Sequence, residues 1–136
     1  MGYAIGSMGY DLGVNKQLIT TSYNLAKQSG LDALALAGTG FNIIGWNQSR
    51  TPLMSPADFT TLLTWFRDEQ MAKFSSKPYN EQWKRKFIQF DTWNEYGEGH
   101  YLFPTKKYGF GYLDAAAKVF AKNPSQYSAS VNTVPT

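Results

Sequence analysis

From Asn15 the chain takes on a helical texture: Leu18, Ser22, Leu25 and Ala26 recur at three- and four-residue intervals, and Gly30 stands where a left-handed residue would end the run. The spacing predicts a helix over residues 15–29 with Asn15 as its cap. Leu31 to Ala37 then forms a short, almost uniformly apolar run closed by Gly38-Thr39-Gly40, the pattern of a parallel strand buried on both faces. Residues 1–14 hold four glycines and no helical period, so they read as a loop or a frayed strand end.

Residues 38–54 are rich in Gly, Asn and Ser, and a connection of that length in a compact domain is usually functional. Ser55-Pro56-Ala57-Asp58 next spells a helix start: a hydroxyl cap, proline at the first helical position, and a carboxylate against the positive end of the dipole. Phe59, Leu62, Leu63 and Phe66 continue it as one apolar stripe to about Lys73. Phe87 to Trp93 is β-prone, predicting a second strand over 86–92. After a loop at 93–107, Tyr108, Tyr112, Leu113, Ala116, Ala117 and Phe120 return to helical spacing, predicting a helix over 108–122. Alternating helices and strands imply an α/β fold with parallel strands and outer helices. Two strands cannot close a barrel, and eight βα units take about 250 residues, so a barrel would require a further N-terminal part.

Composition narrows this picture. With 43% hydrophobic and 17% charged residues, the 136-residue chain can bury enough apolar surface to fold as one domain. That domain is expected over 1–122, with a loose tail over 123–136 where Ser, Asn, Thr and Pro show no period. Net charge is +3, and the densest basic run, Lys84-Arg85-Lys86, is too short for a nucleic-acid footprint and reads as a solvated face. No apolar run reaches the roughly 18 residues of a membrane span, and the first ten residues lack the basic and apolar regions of a signal peptide. The compartment stays undetermined. With one histidine, no cysteine and no acidic calcium loop, no metal or cofactor is expected. Ser22, Asp91 and His100 could be assembled into a hydrolase triad only without a nucleophile-elbow motif.

The chemistry concentrates in Thr92-Trp93-Asn94-Glu95-Tyr96-Gly97-Glu98-Gly99-His100-Tyr101-Leu102-Phe103-Pro104, just past the second predicted strand, the end at which α/β proteins assemble active sites. Two carboxylates three positions apart in a Gly-broken, ring-rich loop suit glycoside chemistry: one protonates the leaving oxygen, the other is base or nucleophile, and rings stack on sugar faces. Spacing alone equally fits two exposed charges beside a turn, aromatic rings committed to the core, and a lone structural histidine.

Trp93-Asn94-Glu95-Tyr96-Gly97-Glu98-Gly99, continuing to Tyr101-Leu102, Pro104, Tyr108-Gly109 and Tyr112-Leu113, resembles the Trp-Asn-Glu-aromatic-x-Glu-Gly signature of glycoside hydrolase family 99 and a related bacterial family associated with lipopolysaccharide biosynthesis. Upstream, Gly45-Trp46-Asn47, Arg50 and the Ser55-Pro56 helix are similar to that group's preceding loop and helix, so the likeness spans roughly residues 30–120. The resemblance implies the C-terminal portion of a (β/α)₈ TIM-type barrel in a retaining endo-α-mannosidase-like enzyme acting on an oligosaccharide or polysaccharide. It makes Glu95 the base that helps the sugar's 2-hydroxyl attack the anomeric carbon, and Glu98 the general acid. Trp46, Arg50, Trp93, Asn94, Tyr96, His100 and Tyr101 would contact the glycan. Tyr96 stands where the group often has Trp, and Phe103 where it commonly has Glu. The alternative is a noncatalytic carbohydrate-binding or polysaccharide-biosynthesis-associated protein that retains the motif.

Overall fold

A computed structural model describes residues 3–5, 9, 11–43, 53–75 and 87–127. Strand β1 (Tyr3–Ile5) leads into helix α1 (Leu12–Gln28), followed by β2 (Asp32–Leu34) and β3 (Leu36–Gly38). Helix α2 (Pro56–Trp65) runs through a π-helical turn at Phe66–Gln70 into α3 (Met71–Ser75). Strand β4 (Gln89–Asp91), a small hairpin of β5 (Asn94–Glu95) and β6 (His100–Tyr101), helix α4 (Gly111–Phe120) and a 3₁₀ turn at Pro124–Tyr127 complete the order. The apolar run expected as one strand over 31–37 is thus two three-residue pieces broken at Ala35. The first pairs in parallel with β1 and the second in parallel with β4. Each piece takes its partner from a different part of the chain, which local sequence cannot reveal.

Helix α1 starts three residues before the position that periodicity predicts. Asp11, in extended conformation, accepts a hydrogen bond from Val14 N–H at 2.9 Å and is the cap. Asn15 lies inside the helix and is wholly buried. Its Nδ2 donates to the carbonyls of Gly9 (3.0 Å) and Asp11 (2.9 Å), and its Oδ1 accepts from the N–H groups of Gly9 and Gly38 at 3.3 Å each. A polar residue therefore points inward and sets the phase of the helix, so that Ile19 and Ala26 are buried while Leu25 is 56% exposed. The expected stripe through Leu18 and Leu25 is rotated, because apolar content alone does not reveal an amide that satisfies four backbone groups. At the other end Gly30 has φ +67°, the left-handed residue expected there.

The helix predicted from Ser55 forms as expected. Ser55 Oγ accepts from Asp58 N–H at 3.1 Å, Asp58 Oδ2 accepts from Ser55 N–H at 3.3 Å, and Pro56 opens the first turn. Phe59, Leu62, Leu63 and Phe66 are all fully buried, at the centre of the core. They meet Ile19 of α1, Ala35 and Ala37 of the strands, and Tyr112, Ala115 and Val119 of α4. The Phe59 ring packs edge-on against Tyr112 (5.7 Å) and Phe90 (6.0 Å), tying α2 to α4 and β4. The Tyr112 hydroxyl donates to the Met54 carbonyl at 2.6 Å, and burial pushes its phenol well above the usual range, keeping it a neutral donor. No described helix is long and apolar enough to cross a membrane.

Asn15→Ala should lower stability by about 2–4 kcal/mol, since orphaned buried backbone groups cost about 1–3 kcal/mol each. Gln17→Ala on the exposed face of the same helix should stay within about 0.5 kcal/mol. Urea unfolding midpoints of the two variants provide the comparison.

Candidate functional site

The register of the β3–β4 pair places Gly38 beside Asp91, so both strands end at the same level and release their loops side by side. In parallel α/β sheets this carboxyl end is where ligand sites form. One loop begins Thr39-Gly40-Phe41-Asn42 and the other runs Thr92 to Pro104. Thr39 fastens them together: Tyr101 N–H donates to its hydroxyl oxygen at 3.0 Å, and the hydroxyl donates to the Tyr101 carbonyl at 3.2 Å. The Thr39 carbonyl accepts from Met54 N–H at 3.1 Å, bringing the far end of the 38–54 connection back to where it started.

The region expected as a plain loop over 93–107 contains the β5–β6 hairpin, with Asn94 opposite Tyr101 and Glu95 opposite His100. Directly opposed residues project from the same face of a hairpin, so Glu95 and His100 share a side. Gly99 in the turn has φ +69°, and a Cβ there would overlap the Asn42 carbonyl oxygen. Asn42 N–H in turn donates to the Glu98 carbonyl at 2.8 Å. The tight approach of the two loops thus uses the one residue type that lacks a side chain.

The carboxylates differ in setting. Glu95 and Asn94 are exposed, whereas Glu98 is partly buried and its Oε2 lies 2.8 Å from His100 Nε2. His100 is 3% exposed, with its other ring nitrogen, Nδ1, 3.5 Å from Oδ2 of Asp91 and its ring 5.9 Å from that of Phe41. The histidine expected among the glycan contacts therefore faces the acid expected of Glu98. Because Asp91 and Glu98 occupy opposite ring nitrogens, the three side chains do not converge on a common point. No group of three potential metal ligands occurs among the described residues.

Beside the carboxylates lies an open aromatic surface. Trp93, Tyr96 and Phe103 are 52%, 48% and 43% exposed, unusually high for large rings. Phe103 meets Trp93 (5.5 Å, 88°) and Tyr96 (6.2 Å, 84°) edge-on, and Tyr96 meets Tyr101 at 5.0 Å. Tyr101 continues to Tyr112 at 6.0 Å, so a chain of rings leads from the surface to the core. Burial, followed by proximity to Tyr108, raises the Tyr101 phenol above its usual range, and burial does the same for Tyr96, so both are neutral hydroxyls at physiological pH. Of the residues expected at the site, Trp93, Asn94, Glu95, Tyr96, Glu98, His100 and Tyr101 fall together on or beside the hairpin. Trp46 and Arg50 lie outside the described residues. Sequence reasoning missed Thr39, which no period distinguishes, and set aside the pair of Asp91 and His100 together with the Ser22 triad in which it had named them.

Helices and short strand pairs are mixed along the chain, with acidic and aromatic side chains gathered where two parallel strands end. The family model for glycosyltransferase WbsX matches residues 46–116, just over half of the chain and including the whole hairpin, and the chain belongs to that family. This is a glycan-related family associated with polysaccharide biosynthesis and related to the endo-α-mannosidase-like proteins of glycoside hydrolase family 99. No curated protein and no solved structure matches the chain significantly.

Gly99→Ala combines a left-handed backbone with overlap against Asn42, and should destabilise by at least about 2 kcal/mol. Thr39→Val, of nearly equal volume, should cost about 1–3 kcal/mol by stranding the Tyr101 peptide groups. Both are read from thermal or denaturant unfolding, and a neutral Gly99→Ala would show that the turn does not need the left-handed conformation.

Proposed function

We propose that this chain carries the acid/base site of a glycan-processing enzyme, cleaving a glycosidic bond in an oligosaccharide or polysaccharide by means of Glu95 and Glu98. The observation that carries the reading is the pairing of the partly buried Glu98 with His100, on a hairpin that also bears Glu95 and borders the exposed rings of Trp93, Tyr96 and Phe103. Rings of that kind stack on the apolar faces of sugars, and the neutral hydroxyl of Tyr96 can hydrogen-bond to a sugar rim. Trp93, Asn94, Tyr96 and Tyr101 would bind the glycan, with Trp46 and Arg50 contributed by the 38–54 connection.

In the endo-α-mannosidase-like mechanism, Glu95 takes the proton of the sugar 2-hydroxyl as that oxygen attacks the anomeric carbon. Glu98 protonates the departing glycosidic oxygen as its bond to the anomeric carbon breaks. The resulting anhydro sugar is opened by water, with the proton movements reversed, and the anomeric configuration is retained. In this reading the parallel pairs β1–β2 and β3–β4 belong to a (β/α)₈ barrel. The partly exposed apolar side of β4, where Phe87, Ile88 and Phe90 border a groove with Met71 and Phe120, is surface that further βα units of such a barrel would cover.

The exposure of Glu95 favours a second reading, in which the hairpin binds glycan without breaking it. Incubation of the complete barrel, with the further βα units this reading requires, with α-mannosyl oligosaccharides separates the two. Glu98→Gln and Glu95→Gln should each lower turnover by a factor of about 10²–10⁴ while leaving the unfolding midpoint unchanged, the range lost with a general acid or base. Binding with no released product in the wild type selects the noncatalytic reading. Trp93→Ala should weaken glycan binding about tenfold by calorimetry under either reading, since one stacked ring is worth about 1 kcal/mol.

A further inference from the structure

The His100 ring is placed between two carboxylates and almost wholly removed from solvent. Nε2 is engaged with Glu98 at 2.8 Å, whereas Nδ1 is buried and has no hydrogen-bond partner at its 3.5 Å separation from Asp91. A buried ring nitrogen left without a partner is costly, and each such group in a native structure calls for a physical explanation. The three residues come from different elements: Asp91 ends β4, Glu98 sits in the hairpin turn and His100 begins β6. Phe41, from the loop after β3, packs against the ring at 5.9 Å.

We propose that His100 is a positioning residue for the glycosidic acid step, locking one oxygen of Glu98 so that the other delivers the proton. This rests on the reading of Glu98 as the general acid. One carboxyl oxygen, Oε2, is committed to the imidazole, which leaves Oε1 to meet the glycosidic oxygen. During proton donation the Oε1–H bond breaks, the new O–H bond forms on the leaving oxygen, and the carboxylate charge develops 2.8 Å from Nε2, whose N–H donates to Oε2. Nδ1, on the far side of the ring, faces Asp91 Oδ2 across 3.5 Å without a hydrogen bond. The exposed Glu95 is the other charged group on that face of the hairpin, opposite His100 in the register, and in this scheme it acts on the sugar and not on the ring.

Because His100 is the only histidine of the chain, its two ring nitrogens give unambiguous nitrogen-15 resonances. Glu98→Gln should move the Nε2 resonance and Asp91→Asn the Nδ1 resonance, while Glu95→Gln leaves both in place. Unmoved signals in the first two variants overturn the proposal whether or not turnover is detected. In kinetics on phenyl and 2,4-dinitrophenyl α-mannosides, His100→Ala should lower kcat about a hundredfold for the phenyl substrate with KM nearly unchanged, the scale of a misplaced catalytic group. It should lower kcat far less for the dinitrophenyl substrate, whose leaving group needs little protonation. His100→Gln, whose amide can still donate to Glu98, should recover part of the loss. Equal losses on both substrates, or none, with Glu98→Gln inactive on the phenyl substrate, would reject the positioning role alone. Turnover of the phenyl substrate retained in Glu98→Gln would instead reject the acid reading on which it stands.

Discussion

Gly38 and Asp91 are partners in a parallel pair only three residues long, and the geometry of everything beyond it follows from that register. If β3 slipped by one residue against β4, its side chains would exchange faces and Ala37 would leave the core. Thr39 would then no longer meet the Tyr101 peptide group. As it is, two loops separated by some fifty residues of sequence leave the sheet together and are joined by one hydroxyl that both accepts and donates. Short strands contribute few ladder hydrogen bonds, so the register depends on packing. Phe59, Leu62, Leu63 and Phe66 press α2 onto the strands, and Asn15 reaches across from α1 to bond Gly38 at the end of β3.

The same economy links the core to the surface. Phe59 contacts Tyr112, Tyr112 contacts Tyr101, and Tyr101 contacts Tyr96, so the exposed rings stand on a base anchored by fully buried ones. Rings held in this way have little conformational freedom left to lose. The carboxylates are supported differently. Glu98 has a buried imidazole behind it, while Glu95 stands in water on the same hairpin, so two chemically identical side chains occupy distinct electrostatic surroundings. Acid/base pairs depend on such a difference.

Much of this was legible from spacing and chemistry in the sequence. The Ser55-Pro56-Ala57-Asp58 start, the stripe from Phe59 to Phe66 and the left-handed Gly30 are local signals, and each fits the structure because capping, periodicity and glycine conformation are decided within a few residues. The motif around Glu95 and Glu98 likewise pointed to the polysaccharide-biosynthesis family, although the segment was expected as a loop and not as a hairpin. The phase of α1 was not legible, since its inward Asn15 looks polar until the four backbone groups it satisfies are seen. Nor was the break at Ala35, because the strand on either side of it takes a different partner.

The sequence by itself determined the helices near residues 15–29, 55–73 and 108–122, the strand-forming runs at 31–37 and 86–92, and which short stretch concentrates carboxylates and rings, because these depend on residue type and near neighbours. Only the tertiary structure decided that Asp91, Glu98 and His100 meet, that Thr39 joins the two loops, and that Trp93, Tyr96 and Phe103 remain open to solvent. The physical reason is that a hydrogen bond or a ring contact between distant residues requires angstrom-scale placement. That placement is set jointly by the strand register and the packed helices, and by no single segment.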